Sequence, residues 1–326
     1  MPTIGVIIVS YNTRELLRAC LASLRDCTLP LRVVVVDSAS SDDSAAMVRS
    51  DFPEVCLLEP GRNVGFAAGN NLGLAQVLSS QFLVLSSTGS NSKLKTQNSD
   101  VDYVLLLNPD TVVHPGAIET LAAFLEAHPR VGAVGPRLLN PDGSVQTAAF
   151  RFPTLLMTLF DLFPPGEVLP GRLYNSWWHG RYPQEREGCA PFPIDHPLGA
   201  CILARRAAIE QIGGLDEAFF MYAEEVDWCL RLQRAGWAIW QAPEARVTHV
   251  GGASTSQFRT RMLIALYESR QRFFRKHYSA RFVRWNARIV RTGMLRASMS
   301  AWRDYRAGRL DRDELRARLW AYGEVM

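Results

Sequence analysis

The chain has 326 residues, of which 48% are hydrophobic and 21% are charged, and its formal net charge at pH 7 is +4. This length and apolar content exclude disorder over most of the chain and suit one large α/β domain, alone or with a smaller appendage. No stretch reaches the roughly 18 uninterrupted apolar residues of a membrane span, and no signal peptide is recognised. The six cysteines have neither CxxC nor zinc-type spacing, which favours reduced core residues and a cytoplasmic protein.

Short apolar runs that end in polar turns alternate with amphipathic stretches along the first part of the chain. The first run, residues 4–10, is followed by Thr13, which suits a helix N-cap, and by an amphipathic stretch. Later strands are predicted at 31–37, 55–59 and 102–108, and the helices that follow them at 42–50, 66–78 and 115–127. Near-continuous β-branched strands that alternate with helices predict an α/β fold with a mostly parallel central sheet, covered by helices on both faces.

Two segments interrupt this alternation, and a basic tail follows it. Residues 79–100 are rich in Ser, Asn, Lys and Thr, which predicts a mobile surface insertion. Residues 151–195 are rich in Pro, Gly and aromatic residues, which predicts long irregular segments beside the functional site. We therefore predict a main domain over 1–257 and a basic helical extension over 258–326.

Polar residues follow the predicted strands at their carboxyl ends, where parallel sheets bind ligands. These residues are Ser10, Tyr11 and Asn12 after the first strand, Asp37 after the second, and Asn108 and Asp110 after the last. A carboxylate only accepts hydrogen bonds, so Asp37 suits the N3–H of uracil or thymine, or the N1–H of guanine, but not cytosine N3. The alternative is a helix-capping aspartate. Asn63 and Gly65 add a turn at which backbone can approach a ligand closely.

Acidic residues supply the candidate chemistry. Asp110 can hold Mg²⁺ or Mn²⁺, which prefer oxygen ligands, although Asn-Pro-Asp after a strand is also an ordinary turn. Glu224, Glu225 and Asp227 begin a predicted helix, where acidic residues ordinarily complement the helix dipole. They follow an aromatic run, however, and an apolar wall raises a carboxylate's pKa and suits it to accept a proton from a hydroxyl. His249 is a further candidate metal ligand, with a structural histidine as the alternative.

Taken together, these segments resemble the family-2 glycosyltransferases with the GT-A fold, particularly the bacterial rhamnosyltransferase-like members, from about residue 3 to about residue 275. The residues that carry the resemblance are VSYN at 9–12, VVDSASSDDS at 35–44, NVGFAAGNN at 63–71, DYVLLLNPDT at 102–111, PRLLNPDGS at 136–144, LGACILARR at 198–206, GGLDEAFFMYAEEVDWCLRLQRAGW at 213–237 and HVGGAS at 249–254. Their order and spacing together are highly specific.

The resemblance implies an inverting transferase that uses Mg²⁺ or Mn²⁺ and moves a sugar from a nucleotide diphosphate donor to a hydroxyl of a polysaccharide or lipid-linked saccharide. The donor that it favours is dTDP-rhamnose, with a UDP-sugar as the alternative. For the donor, the resemblance implies that Ser10, Tyr11 and Asn12 dock the nucleoside, that Asp37 recognises the pyrimidine, and that Asn63 and Gly65 flank the nucleobase and ribose. It implies that donor and metal are bound by Asn108, Asp110 and His249. For the chemistry, it implies that Glu225 abstracts the proton, while Glu224 and Asp227 bind the acceptor or orient the catalytic base.

Three positions depart from the family pattern. The neutral Asn108 occupies the first place of the metal-binding DxD, as is usual in the rhamnosyl-like branch. Glu224-Glu225 replaces the family's Glu-Asp, which leaves open which of the two is the base. The insertion, over 83–99, is longer than this branch normally has there. The irregular residues 151–195 would lie on the acceptor side.

The tail suggests a partner. Residues 253–326 contain 17 Lys and Arg against 6 Asp and Glu, whereas the rest of the chain contains 19 against 26. Aromatic and aliphatic residues alternate with these arginines: Phe273, Phe274, Trp285, Leu295, Trp302 and Trp320. One account is contact with an anionic membrane surface, at its inner face, or with a phosphorylated acceptor. The other is that the apolar face packs on the main domain or in a homodimer and leaves the arginines in water. We expect no nucleic-acid partner.

Two other classes of function compete with sugar transfer. A nucleotidyltransferase would show a Gly-rich, basic phosphate loop after the first strand, which Tyr11-Asn12-Thr13 is not. An inactive relative that binds carbohydrate or scaffolds an assembly would have no need for both Asp110 and the acidic trio.

Overall fold

The structure is a computed structural model that describes residues 1–79, 82–85, 94–97, 101–164, 171–173, 176–188, 190–251 and 259–326. Up to residue 150 its elements are β1 (Ile4–Ser10), α1 (Arg14–Ser23), β2 (Leu31–Asp37), α2 (Ser44–Asp51), β3 (Cys56–Leu58), α3 (Phe66–Val77), β4 (Phe82–Leu85), β5 (Leu94–Gln97), β6 (Tyr103–Leu107), β7 (Thr111–Val113), α4 (Ala117–Ala127), β8 (Val131–Leu139), β9 (Val145–Gln146) and β10 (Ala149–Phe150). The later elements are α5 (Leu155–Leu162), α6 (Gln184–Glu187), β11 (Phe192–Pro193), β12 (His196–Pro197), β13 (Cys201–Arg205), α7 (Arg206–Ile212), α8 (Glu224–Arg234), β14 (Ala238–His249), α9 (Arg259–His277), α10 (Ala280–Arg306) and α11 (Arg312–Val325). Short 3-10 turns lie at Leu24–Asp26, Gly171–Leu173 and Trp177–His179.

The chain forms two compact units. The first comprises residues 1–150, 184–220 and 224–254, and the second comprises 151–183, 221–223 and 255–326. The domain boundary predicted between 257 and 258 lies outside the described residues, as does most of the insertion predicted over 79–100. Within that insertion, β4 and β5 pair as an antiparallel ladder.

The first unit is built on one sheet with the strand order β11-β14-β8-β13-β6-β1-β2-β3. Strands β3, β2, β1 and β6 run parallel to one another, and β8 and β14 are also parallel to each other. The predicted α/β fold with its central sheet is confirmed. The sequence pattern did not predict β13, which lies antiparallel between β6 and β8.

Both faces of the sheet are covered, as the alternating side chains of β1 illustrate. Ile4 and Ile8 belong to a core that also includes residues of α1, α2 and α4. On the opposite face, Gly5, Ile7 and Val9 lie against α3, which approaches closely because it carries glycines there. A Cβ atom on Gly69 would lie only 2.8 Å from Val9 Cγ1, and one on Gly73 would overlap Ile7. Such packing explains why this buried strand reads as a continuous apolar run.

The second unit is helical. Its α5 lies inside the segment predicted to be irregular, which is a correction: Thr154 caps the helix by accepting a hydrogen bond from Met157 N, and an apolar run follows. Helix α10 packs on α5 so closely that a Cβ on Gly293 would lie 2.8 Å from Leu162 Cβ. Asp311 caps α11 through the Glu314 amide, 2.8 Å away. Among the described helices, none is long and apolar enough to cross a bilayer.

Candidate active site

The ends of β1 and β2 meet at the carboxyl edge of the sheet, where Ser10 pairs with Asp37. Thr13 occupies the N-cap position of α1, as predicted, but its hydroxyl lies 2.9 Å from Ser10 Oγ and makes no hydrogen bond to the start of the helix. Asn12 has a φ of 52° and accepts a hydrogen bond from Ser41 N at 2.7 Å. These contacts fix the two strand-end loops to each other on either side of Tyr11.

Asp37 presents an unused acceptor. Its side chain is buried, with 3% of the residue exposed, and Oδ2 accepts a hydrogen bond from Ser40 N at 3.1 Å. Oδ1 is buried and has no hydrogen-bond partner among the described residues. A buried acceptor without a partner is costly, by about 1–3 kcal/mol, unless a ligand supplies the donor.

Asn63 and Gly65 lie in a loop that is fixed to the segment before α8. Asn63 Oδ1 accepts from Gly65 N at 3.0 Å, and Phe66 N donates to Phe220 O at 2.9 Å. Gly65 has a φ of +80°, and a Cβ there would lie 2.5 Å from Phe220 O. Only glycine combines this conformation with so close a backbone approach. The predicted donor loop is thereby attached to the segment that leads into the acidic helix.

Asp110 and His249 lie together although they are far apart in sequence. Strand β7 pairs with β14 so that Thr111 is opposite His249, and Val250 N donates to Asp110 O at 3.0 Å. Asp110 Oδ1 is 3.3 Å from His249 Nε2, and both residues are 7% exposed.

A glutamine that the sequence prediction missed contacts the other ring nitrogen of His249. His249 Nδ1 lies 2.7 Å from Gln146 Oε1, and Gln146 Nε2 donates to Asn140 Oδ1 at 3.0 Å. The only sequence signal was the turn Asn140-Pro141-Asp142-Gly143-Ser144, which matched the family without a role for Gln146.

These residues fit a divalent cation. Asp110 offers an oxygen and His249 a nitrogen, and Asn108 Oδ1 is buried without a hydrogen-bond partner in the described part of the chain. Two ligands at about 2.1 Å from one ion and at right angles lie about 3 Å apart, close to the observed separation. Across the described ranges no group of three or more His, Cys, Asp and Glu could hold a metal. An ion at Asp110 and His249 would therefore take further ligands from a bound diphosphate and water.

Cys20 lies beneath this loop and is not a fitting ligand. Its Sγ is 3.5 Å from Thr111 Oγ1 and 3.6 Å from Asn108 O. Burial raises the pKa of the Cys20 thiol to about 12. Mg²⁺ and Mn²⁺ prefer oxygen ligands to soft sulfur ligands, so this thiol suits packing rather than coordination.

Helix α8 brings three acidic residues to the same unit, in different environments. Asp227 is fully buried and accepts from Arg231 Nε at 2.8 Å, while Arg231 also donates to Ile212 O and Gly214 O at 2.8 and 2.7 Å. Asp227 therefore fixes the glycine turn that follows α7. This role was not anticipated from the acidic run.

Glu224 and Glu225 are the carboxyls that remain without such a partner in the described contacts. Glu224 is 5% exposed, its Oε2 has no hydrogen-bond partner among the described atoms, and burial together with the charge of Glu225 raises its pKa well above 4.5. Burial also raises the pKa of Glu225, which is partly exposed. Tyr222 and Ala223, just before the helix, both have positive φ, of 71° and 65°. Such strain is common at functional sites.

Glu225 is linked to the metal-site strand through two consecutive residues. Gly199 packs against Glu225: a Cβ atom on this glycine would lie 3.4 Å from Glu225 Cγ. The next residue, Ala200, accepts a hydrogen bond through its carbonyl oxygen from Asn108 N at 2.8 Å. The turn at Gly199 and Ala200 thus contacts both a carboxyl that can take a proton and the loop that leads to Asp110, and such groups together suit displacement of an anionic leaving group by a hydroxyl.

The sequence profile described as glycosyltransferase like family 2 matches residues 2–272 of the chain. The chain belongs to this family. Its resemblance to the rhamnosyltransferase-like members is also confirmed by relatives. The N-acetylglucosaminyl-diphospho-decaprenol L-rhamnosyltransferase of Mycobacterium tuberculosis is 32% identical over 287 residues, which are 87% of this chain and 88% of that protein. The rhamnosyltransferase WbbL of Escherichia coli K12 is 23% identical over 249 residues, 75% of this chain and 82% of its own.

Solved structures confirm the fold of this family-2 glycosyltransferase. The mannosyltransferase PcManGT from Pyrobaculum calidifontis, solved in complex with GDP-Man and Mn²⁺, superposes with a TM-score of 0.55 at 16% identity, over 99% of this chain and 86% of that one. GalNAc-T7, solved with UDP, GalNAc and Mn²⁺, superposes with a TM-score of 0.51 at 15% identity, over 76% of this chain and 44% of that one. The GT-A fold predicted from the motifs is therefore correct.

Proposed function

We propose that this glycosyltransferase moves L-rhamnose from dTDP-rhamnose to a hydroxyl of a lipid-linked saccharide, with Mg²⁺ or Mn²⁺ and with inversion at the anomeric carbon. The observation that carries the proposal is that the consecutive residues Gly199 and Ala200 contact Glu225 and Asn108, and that Asn108 is two residues before Asp110, which lies 3.3 Å from His249. The names of the rhamnosyltransferase relatives support the sugar, and the decaprenol-linked acceptor named for one of them supports the lipid.

In this proposal Asp37 reads the donor's base. Its partnerless Oδ1 accepts the N3–H that thymine and uracil both carry, so the contact does not distinguish dTDP-rhamnose from the alternative UDP-sugar. An Asp37→Asn variant can instead donate to cytosine N3. We expect it to bind dTDP roughly 10- to 100-fold more weakly while its affinity for CDP rises relative to dTDP, as titration calorimetry would measure. Unchanged dTDP affinity would contradict the role of Asp37.

The remaining residues divide the displacement between them. Asp110 and His249 would hold the cation, which neutralises charge on the departing diphosphate when it is bound. Glu225 accepts the proton of the acceptor hydroxyl, because its raised pKa makes it a better base than an exposed glutamate. Glu224, more deeply buried, stays protonated to a higher pH and so does not add a second negative charge beside the base. Asn63 and Gly65 shape the loop near the donor.

The direct test combines donor, acceptor and stereochemistry. The purified protein is incubated with dTDP-rhamnose or UDP-sugars, with a lipid-linked N-acetylglucosamine diphosphate, and with Mn²⁺ or a chelator. We expect dTDP release that requires the cation, and a product whose anomeric configuration, read by NMR, is opposite to that of the donor. Retained configuration contradicts the mechanism, and binding of saccharide without release of any nucleotide identifies a non-catalytic carbohydrate-binding protein.

We also propose that the C-terminal helices contact an anionic membrane, where a lipid-linked acceptor would lie. The aromatic residues of this region divide into two groups: Phe273 and Phe274 of α9 are 1% exposed, whereas Trp285 and Trp302 of α10 are 46% and 47% exposed. The first pair makes ring contacts with Tyr278 and Phe282 of the same unit. The second pair is available to a partner.

The exposed residues of α10 lie on one side of the helix. Spacings of three and four place six of its residues in one stripe: 285, 288, 292, 295, 299 and 302. Within this stripe Leu295 and Met299 are 48% and 62% exposed. The buried face is formed by other positions, among them Gly293 and Ala301. Helix α10 carries seven arginines and one acidic residue, Asp304. A stripe of aromatic and aliphatic residues on a helix whose charges are mainly positive suits the interface of an anionic bilayer.

Vesicle sedimentation separates this contact from the homodimer alternative. We expect binding to phosphatidylglycerol vesicles but not to phosphatidylcholine vesicles, and release above about 0.3 M salt. The double change Trp285→Ser and Trp302→Ser should abolish binding, whereas Trp178→Ser, at a tryptophan that is 56% exposed outside these helices, should not. A dimer in solution that the double variant splits, without vesicle binding by the wild type, assigns the stripe to self-association and overturns the membrane contact.

A further inference from the structure

A chain of four hydrogen bonds leads from Asp142 to His249, and its direction is fixed at the carboxylate end. Ser144 Oγ lies 2.6 Å from Asp142 Oδ1, Asn140 Nδ2 lies 2.9 Å from Ser144 Oγ, and Gln146 Nε2 lies 3.0 Å from Asn140 Oδ1. The last link joins Gln146 Oε1 and His249 Nδ1 at 2.7 Å. The hairpin between β8 and β9 holds these residues, because Leu138 pairs with Gln146 across it.

Each link determines the next. An ionised carboxylate only accepts, so the Ser144 hydroxyl donates its hydrogen to Asp142 and offers Asn140 a lone pair. Asn140 must then direct its NH₂ group to Ser144 and its oxygen to Gln146. Gln146 in turn directs its NH₂ group to Asn140 and its oxygen to His249.

The consequence falls on His249. Facing an oxygen that can only accept, Nδ1 must carry the ring hydrogen, and in the neutral imidazole Nε2 is then an unprotonated acceptor. Nε2 lies 3.3 Å from Asp110 Oδ1. Two lone-pair atoms that face each other at this distance repel unless a cation lies between them.

We infer that Gln146 is a positioning residue that fixes the metal-binding tautomer of His249, with the Nε2 lone pair directed at the ion that Asp110 shares. The inference rests on the proposed metal site, toward which Gln146 acts only through the histidine. Partners of this kind typically contribute 10- to 100-fold to metal affinity, because they orient the ring and set its hydrogen on the far nitrogen.

The tautomer can be observed without metal or activity. In protein labelled with ¹⁵N-histidine, long-range ¹H–¹⁵N spectra at about pH 8.5, two units above the ordinary histidine pKa near 6.5, report which ring nitrogen carries hydrogen. Comparison with His249→Ala assigns the signal. We expect Nδ1–H in the wild type and a shift toward Nε2–H in Gln146→Leu. Gln146→Glu, which keeps an acceptor at the same position, should restore Nδ1–H.

Metal affinity is the second measurement. Electron paramagnetic resonance of Mn²⁺ in the presence of dTDP should show affinity lowered roughly 10- to 100-fold in Gln146→Leu and regained in Gln146→Glu. Gln211→Leu is the matched control, because that glutamine accepts from Trp237 Nε1 instead of from a site residue. Asn140→Asp should keep the affinity, since a carboxylate still accepts from Gln146 Nε2.

The outcomes distinguish this inference from the proposed function. If the wild type binds no Mn²⁺ with dTDP, the metal site fails, while the spectra still decide whether Gln146 sets the tautomer. If Gln146→Leu keeps both the Nδ1–H tautomer and the wild-type Mn²⁺ affinity, Gln146 has no positioning role. Loss of affinity in Gln146→Leu that Gln146→Glu does not restore, with the Nδ1–H signal unchanged, assigns the glutamine to hairpin stability alone and also overturns the inference.

Discussion

Replacing Glu225 with glutamine removes the proposed proton acceptor while it preserves the size of the side chain. Loss of a general base ordinarily lowers the rate by about 10²- to 10⁴-fold, so we expect the turnover number of Glu225→Gln to fall by at least about 10²-fold. The donor KM should change little, since in this proposal Glu225 contacts the acceptor. Because burial raises the pKa of Glu225, the wild-type rate should fall as pH drops through a value above the ordinary 4.5.

Glu224→Gln is the matched control, and its effect should be on stability. The folded protein holds this carboxyl with a pKa raised by burial and by Glu225, whereas the unfolded chain ionises it near 4.5. The contribution of this carboxyl to stability is therefore fully present below pH 4.5, and it is lost as the pH rises through the pKa of the folded protein. Each unit by which folding raises the pKa lowers the free energy of unfolding at high pH by about 1.4 kcal/mol. Glutamine does not ionise, so the variant avoids this loss of stability. Glu224→Gln should melt at a higher temperature than the wild type at pH 8, with a smaller difference at pH 5.

The assay is initial-rate release of dTDP from dTDP-rhamnose in the presence of acceptor, measured from pH 5 to pH 9 for both variants beside thermal melts. A Glu224→Gln variant that loses more activity than Glu225→Gln would show that the base is one residue earlier than proposed. Equal, small losses in both would refute general-base catalysis by either residue.

Three further predictions concern the supports of the site. Gly65→Ala should lower the free energy of unfolding by about 2 kcal/mol or more and impair donor binding, because Gly65 has a positive φ and its Cβ would collide with Phe220 O. Gly61→Ala, at a φ of +73° with open space around it, should have a much smaller effect in thermal melts. Asp227→Asn should lower stability by about 3–5 kcal/mol by leaving Arg231 without its buried partner, and a variant that melts normally but transfers no sugar would instead assign Asp227 to catalysis. Asp110→Ala should weaken Mn²⁺-dependent donor binding in calorimetry, and full metal-dependent turnover in that variant would exclude it as a ligand.

The parts of the fold that follow from local pattern could be predicted from the sequence. The first strand was expected at 4–10 and forms at Ile4–Ser10, because its β-branched run is buried on both faces. The antiparallel insertion of β13 could not be predicted, since strand order is decided by contacts between distant segments. Helix α5 was missed because the prolines near it dominated its composition, although Thr154 is an ordinary N-cap.

In the site, too, local sequence pattern predicted some residues, whereas others depend on contacts between distant segments. Strand-end positions marked Asp37 and Asp110, because parallel strands expose their carboxyl ends at one edge. The pairing of Asp110 with His249 followed only from family resemblance, since no local pattern relates them. Gln146 and the Asp227–Arg231 pair were beyond sequence reasoning, because which amide faces which ring, and which carboxylate is already neutralised, depends on the folded positions of their partners.

The neutral first position of the DxD is consistent with a site that is completed by its substrate. Asn108 is held by its backbone, which donates to Ala200 O and accepts from Thr111 Oγ1 at 2.7 Å, while its side-chain Oδ1 is buried without a described partner. An aspartate there would add a second carboxylate near Asp110, and like charges in a buried setting disfavour each other's ionisation. Asparagine keeps an acceptor oxygen in place without that repulsion. The cation then depends more on the donor's diphosphate, so metal and donor should bind with positive coupling, each raising the affinity of the other by the same factor. Calorimetric titrations of dTDP with and without Mn²⁺ measure that factor, and equal affinities in both would show that the site does not need its substrate to bind the ion.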